Sequence, residues 1–293
     1  MTRSVKGSGM KVSRTLWYVV LVVIALIFIF PIIFMFVSSL KPNLQLLSDT
    51  ASLRAFLPVG EISFNNYREA FERAPIGRFM FNSLFTTILT VVAGLFLNSM
   101  AGFAFGVLRW PGKNIVLAVI IATMIVPFET IAVPLLLIVN KLPMIGAEGF
   151  KIGWLDTYHV QIVPFIADVL SIYLFTQFFK DLPKELVEAS RIDGASWFQI
   201  YSRVFMPLAG PVLATAAILK FLAMYNAYLW PLMTSQKEEF RPVMVGLQYF
   251  FQLNVEWGEV MAYLSLITIP VLAFYLWLQR AFIESIASSG VKG

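Results

Sequence analysis

From residue 15 to residue 40 the chain carries no charge for 26 residues, and that narrows its possible folds more than any other feature. About 20 mostly apolar residues let a helix cross the hydrocarbon core of a bilayer. A cleavable secretory signal has a shorter apolar core, roughly 7–15 residues, and ends at a small-x-small site. This run is longer and has no convincing site, so it reads as a retained first membrane helix near 16–40. Five further segments qualify or nearly so, near 79–108, 115–139, 162–179, 208–233 and 260–279. The third contains Glu129 between Pro127 and Pro134, which predict a kink. The fourth is short and carries Asp168, the fifth contains Lys220, and the sixth is clean apart from Pro270. The expectation is one all-α polytopic membrane domain over 15–279 with six transmembrane helices.

Composition agrees. Apolar residues make up 59% of the chain and charged residues 13%, against about 25% charged in soluble domains. Too little polar surface is left to face water, so lipid must cover much of the protein. There is no Cys and one His, His159. Disulfides, thiolate zinc sites, Cys nucleophiles and His-based triads are therefore excluded, and no catalytic or metal-binding residues are predicted. The net charge of +5 reflects where basic residues collect and does not point to nucleic acid.

Those basic residues set an orientation. With the N-terminus inside, the cytoplasmic pieces are 1–14, 109–114, 180–203 and 280–293, which hold 12 Lys and Arg in 58 residues. The opposite pieces, 41–78, 140–161 and 234–259, hold 9 in 86. Both termini are expected in the cytoplasm, as tails at 1–14 and 280–293. In the first outer segment Phe64, Tyr67 and Phe71 share one face of a short helix, expected to lie along the membrane surface.

The inside loop at 181–207 reads as a helix–turn–helix. Asp181 is placed to cap a first helix with Pro183 in its first turn, and Leu182, Leu186 and Ala189 share a face. Asp193-Gly194 breaks it, Gly being free to take a positive φ. A second helix starts near Ser196, puts Trp197, Ile200, Tyr201 and Val204 on one side, and stops at Pro207. Such a pair makes a rigid knob able to dock into a partner. The alternative is an interfacial helix pair anchored by Trp197 and Arg203.

The stretch Glu188-Ala-Ser-Arg-Ile-Asp-Gly194, followed by Met206-Pro207-Leu208, resembles the signature loop of binding-protein-dependent ABC importer permeases: Glu-Ala-Ala, Gly four residues later, then an apolar-Pro pair. The Ile-Asp-Gly-Ala-Ser version is similar to the carbohydrate branch, the maltose-type second permease. Asn82-Ser83, Tyr225-Asn226 and the terminal Gly290-Val-Lys-Gly293 extend the likeness over residues 65–293. Ser190 stands in for the second Ala and Tyr225 for a frequent Trp. The resemblance implies an ABC importer type I permease fold with 181–207 as its cytoplasmic coupling loop. Glu188 would pair with a basic residue of an ATPase, Ala189, Ala195 and Trp197 would fill its cleft, and Ser190, Asp193, Gly194 and Pro207 would complete the motif. A solvated helix charge is the plainer reading of Glu188.

No G-x-x-x-x-G-K-[ST] occurs, and Gly112-Lys113 lacks the preceding glycine-rich loop, so nothing in the chain can cradle ATP phosphates. ATP and Mg²⁺ are expected on two partner ATPase subunits, beside a second, different permease and an extracytoplasmic solute-binding protein, all at a bacterial inner membrane. Polar groups within spans are functional candidates because they are costly in lipid. Glu129 lines a possible pore or pairs with Lys220 across the bundle. Asp168 and Lys220 can instead lie near span ends and snorkel to water. Tyr225, Asn226, Tyr228 and Trp230 combine rings and hydrogen-bonding groups as sugar sites do, although aromatics near span ends are more often belt residues. A secondary transporter working without ATPases would show repeats or a relay of acidic residues, and neither is found. A membrane-embedded enzyme has no paired groups to work with. As a whole the chain also resembles the second permease of an alginate-oligosaccharide importer; no quoted motif separates that cargo from maltose-type sugars.

Overall fold

The computed structural model describes residues 14–146, 149–252 and 254–290. The expected tail at 1–14 lies outside them except for Arg14, as do the last three residues of the tail at 280–293. The helices are α1 (Arg14–Ser38), α2 (Asn43–Asp49), α3 (Asn65–Arg73), α4 (Ile76–Gly106), α5 (Lys113–Ala122) and α6 (Phe128–Val139). An antiparallel hairpin of β1 (Pro143–Gly146) and β2 (Gly149–Ile152) follows. Then come α7 (Tyr158–Ile162), α8 (Val169–Asp181), α9 (Glu185–Ile192), α10 (Trp197–Ile200), α11 (Met206–Leu208), α12 (Gly210–Tyr225), α13 (Leu229–Thr234), α14 (Val243–Gly246) and α15 (Trp257–Gly290). Among the described residues four helical stretches are long and apolar enough to span a membrane, or six if each of two sharply bent pairs is one span.

The chain divides into two compact units, residues 1–73 with 252–266, and residues 74–251 with 267–293. In the first unit, α1 is apolar on every side and exposed from Trp17 to Phe30. A helix hydrophobic all round needs lipid or protein about it. Phe56 packs against the rings of Phe30 and Phe34, at 4.4 and 5.6 Å. Beyond the helix the buried Lys41 ammonium donates to Asp49 at 2.9 Å and to the Arg54 carbonyl. That hydrogen bond from Lys41 holds the Asp49 carboxyl below the usual carboxylate range, against the opposing effect of burial. The Asn66 amide donates to the carbonyls of Ser39 and Lys41, both at 2.8 Å. With this bonding Asn66 and Ala70 of α3 point inward, while Phe64 and Phe71 are exposed.

In the second unit α4 packs along α8 and α12. Small residues permit the approach. A Cβ at Gly102 would collide with Phe175 of α8, and one at Gly94 with Lys220 of α12; close backbone contact at small residues is how membrane helices associate without a hydrophobic driving force between them. Below these contacts Phe103 meets Phe179, Tyr201 and Phe205 edge-to-face at 6.2, 5.5 and 5.1 Å. Each such pair contributes about 0.5–1.5 kcal/mol beyond its burial. The run 115–139 is two helices, with Lys113–Ile125 and Phe128–Val139 meeting at 103°. Pro127 is the cause: it drives Val126 out of the helical region, to φ −81° and ψ 114°. Pro134 sits inside α6 without ending it. The run 208–233 is likewise interrupted, α12 ending at Tyr225 and α13 beginning at Leu229.

Candidate functional site

A cavity of about 340 Å³ opens where the two interrupted runs come together, lined by α4, α6, α12 and α13 and by the segment around α7. Phe128 and Glu129 reach it from the first turn of α6, Gln161 and Phe165 from α7 and the turn after it, and Tyr228 and Trp230 from the start of α13. The interruptions put them there, because a helix broken at Pro127 or Asn226 turns its new first residues toward the space the break leaves. Trp230, 3% exposed, forms the wall with Phe128 and Phe165, both 5.9 Å away and roughly perpendicular to it. Its indole N–H donates to the Val160 carbonyl at 2.8 Å. The Gln161 amide donates to Ser235 Oγ and the Phe240 carbonyl at 2.8 and 2.9 Å. Tyr228 accepts a hydrogen bond from Gln248 at 2.6 Å.

Of the residues singled out in the sequence, Glu129, Tyr228 and Trp230 line this cavity and two do not. Tyr225, 2% exposed, points into the helix packing, where its hydroxyl donates to the Ile267 carbonyl at 2.9 Å. Asn226 is the exposed cap of α12. Sequence reasoning missed Phe128, Gln161 and Phe165. Gln161, a polar residue at the edge of a span, was the one legible signal; an inward-facing Phe reads the same as a lipid-facing one.

Lys220 does not pair with Glu129. Its side chain is 4% exposed, and its ammonium binds the Asp168 carboxylate and the carbonyls of Phe165 and Ile166, the last two at 2.8 and 3.1 Å. Asn98 of α4 joins them, donating to Asp168 at 3.0 Å and to Ile166 at 3.1 Å while accepting from the Asp168 N–H at 3.2 Å. Asp168 also caps α8 by accepting from the Ser171 N–H at 2.8 Å. Lys220 has its counter-ion inside the packing, whereas Asp168 keeps a third of its side chain exposed. The knot pins the break between α7 and α8 to α4 and α12, and through Phe165 it adjoins the cavity.

At the far end of α8 the helix–turn–helix takes shape with several shifts. Asp181 ends α8 instead of capping α9, which opens at Glu185 with Lys184 at its cap position and no side-chain cap there. The turn is a Schellman motif: Ala195 N–H donates to the Ser190 carbonyl at 3.0 Å, Gly194 N–H to Arg191 at 3.1 Å, and Gly194 takes φ +79°. Ser196 caps the next helix in a reciprocal box with Gln199. That helix runs past Pro207, through a π turn at Tyr201–Phe205 and a last short turn at Met206–Leu208 that has Pro207 near its start. It bends by 80° into α12 after Leu208. Ile200, Tyr201 and Phe205 are the buried anchors, with Ala195 and Val204 packed against their cluster. Trp197 instead faces outward, under the Arg191 guanidinium at 5.0 Å. Val187 of α9 packs against the same cluster. Glu188, Ala189, Asp193, Gly194 and Pro207 are exposed and Ser190 is half-buried. Ile192 is 86% exposed at the tip.

Residues 98–288 match the family model described as binding-protein-dependent transport system inner membrane component. The chain belongs to this family. Among its relatives, the arabinooligosaccharides transport system permease protein AraQ of Bacillus subtilis (strain 168) is 30% identical over the full length of both chains. The trehalose transport system permease protein SugB of Mycobacterium tuberculosis (strain CDC 1551 / Oshkosh) is 30% identical over 95% of this chain and 98% of its own. The solved structure of a bacterial ABC transporter involved in the import of the acidic polysaccharide alginate contains a similar chain, 25% identical. It has a TM-score of 0.76 and covers 92% of this chain and 95% of that one. As a permease of this family, the chain has its fold and sits in the inner membrane by several spans.

Proposed function

We propose that this permease is one of two different membrane subunits of an ATP-driven sugar importer, with both termini in the cytoplasm. The observation that carries the reading is the anchored turn with its exposed apolar tip, at the sequence that carries the family signature. In this reading Glu188, Ala189, Ser190, Asp193, Gly194, Ala195, Trp197 and Pro207 form the surface that one of two partner ATPases grips. Those partners bind ATP and Mg²⁺. When they close, the turn moves as a rigid body, because Ile200, Tyr201 and Phe205 tie it to Phe103, Phe175 and Phe179. The push reaches α4 and α8, and the cavity opens toward a solute-binding protein outside. The named relatives handle arabino-oligosaccharides and trehalose and the solved neighbour alginate, which supports a carbohydrate cargo. Glu129, Tyr228 and Trp230 are the pathway residues in this reading.

The absence of cysteine gives a clean test of orientation. In intact cells a membrane-impermeant maleimide is expected to label Ser48→Cys and to spare Asn114→Cys, both exposed positions, with the pattern reversed in inside-out vesicles. Tagged chain expressed with its neighbouring genes is expected to bring down an ATPase. The opposite labelling pattern, or a chain that always purifies alone, would count against the proposal.

A further inference from the structure

The hydrogen-bonding state of the cavity carries an inference about its cargo, and that inference rests on the sugar-import reading. The side-chain donors lining it are largely spent on the protein itself. Both hydrogens of the Gln161 amide, the Trp230 indole N–H and the Thr86 hydroxyl, which donates to the Asn82 carbonyl at 2.8 Å, are engaged internally. What remains open is one neutral donor, the Tyr228 hydroxyl, whose oxygen accepts from Gln248, and otherwise acceptors: the Gln161 carbonyl oxygen and both oxygens of the Glu129 carboxylate. Among the described residues Glu129 has no hydrogen-bond or ion-pair partner, and no Lys or Arg lines the cavity. Arg241, next to the lining residue Pro242, is occupied by Tyr249 and by the carbonyls of Ser235 and Gln236. The positive end of α6 carries Glu129 in its own first turn, so it too is answered from within the chain.

A sugar hydroxyl donates and accepts, whereas an ionised carboxylate only accepts. Acceptors facing acceptors with no cation between them leave buried groups unpaired, which costs binding. Aromatic faces such as Phe128, Phe165 and Trp230 suit the apolar faces of a sugar ring. We propose that this cavity passes uncharged oligosaccharides whose hydroxyls donate to Glu129 and Gln161, and discriminates against uronates.

The test is uptake by the complete transporter with its binding protein in proteoliposomes. Neutral trisaccharides (maltotriose, arabinotriose) compete there with triuronates of galacturonate and alginate. The neutral sugars are expected to win by about tenfold or more. Glu129→Lys, with the same binding protein, should move the neutral-to-uronate ratio toward uronates by at least several-fold. Wild type that takes uronates as well as neutral sugars overturns the proposal, and so does a ratio that Glu129→Lys leaves unchanged. A transporter that moves no sugar of either class fails at the earlier step, the sugar-import reading itself.

Discussion

Lys220→Met is expected to destabilise the second unit by roughly 3 kcal/mol, the low end of the cost of breaking a buried pair. The low end applies because Asp168 keeps 33% of its side chain exposed. Loss of the ammonium leaves the Asp168 carboxylate without its counter-ion and the Phe165 carbonyl without the donor described above. The measurement is the thermal unfolding midpoint of the detergent-solubilised permease, which should fall by on the order of 10 °C. Lys220→Met combined with Asp168→Asn should recover most of the loss, since an amide at 168 keeps the cap on α8 and carries no charge to bury. Glu129→Gln, which removes no partner of Lys220, should leave the midpoint within a few degrees of wild type. If Lys220→Met matches wild type, the knot contributes nothing. If Glu129→Gln reproduces its effect, the pairing is wrong.

The second large effect is expected at Gly194. Proline fixes φ near −65° and has no N–H, whereas Gly194 sits at +79° and donates to Arg191. Gly194→Pro therefore breaks both hydrogen bonds of the Schellman motif and re-aims Ile192 and Trp197. ATP-driven uptake should fall by more than about tenfold. The thermal midpoint should move little, because the turn is exposed and a Cβ at 194 would meet nothing within 4 Å. Gly194→Ala keeps the N–H and has room, but costs roughly 1–2 kcal/mol of left-handed strain, so an intermediate loss is expected. Full uptake by Gly194→Pro would show that the turn does not transmit the push.

The apolar runs were legible because lipid demands length and the absence of charge, and both can be counted along the sequence. The Gly194 turn and the Ser196 cap were legible because both are local, set by residues within a few positions of each other. What the sequence hid depends on pairing at a distance. Lys220 and Asp168 lie on different runs, and only the break between α7 and α8 brings the carboxylate, rather than Glu129, within reach. Tyr225 and Trp230 both look like rings near the end of a span. One is turned into the helix packing by the Ile267 carbonyl, while the other walls the cavity. Periodicity could not separate them, since inward and lipid-facing positions of a membrane helix are equally apolar.

Whether ATP drives this permease can be read in proteoliposomes holding the chain, its partner permease, the ATPases and the binding protein. Labelled maltotriose should accumulate when Mg-ATP is supplied on the side that bears residues 181–207, and accumulation should stop with a non-hydrolysable analogue. Accumulation that persists without ATP, or transport by this chain in the absence of the ATPases, would contradict that result and point to a secondary transporter.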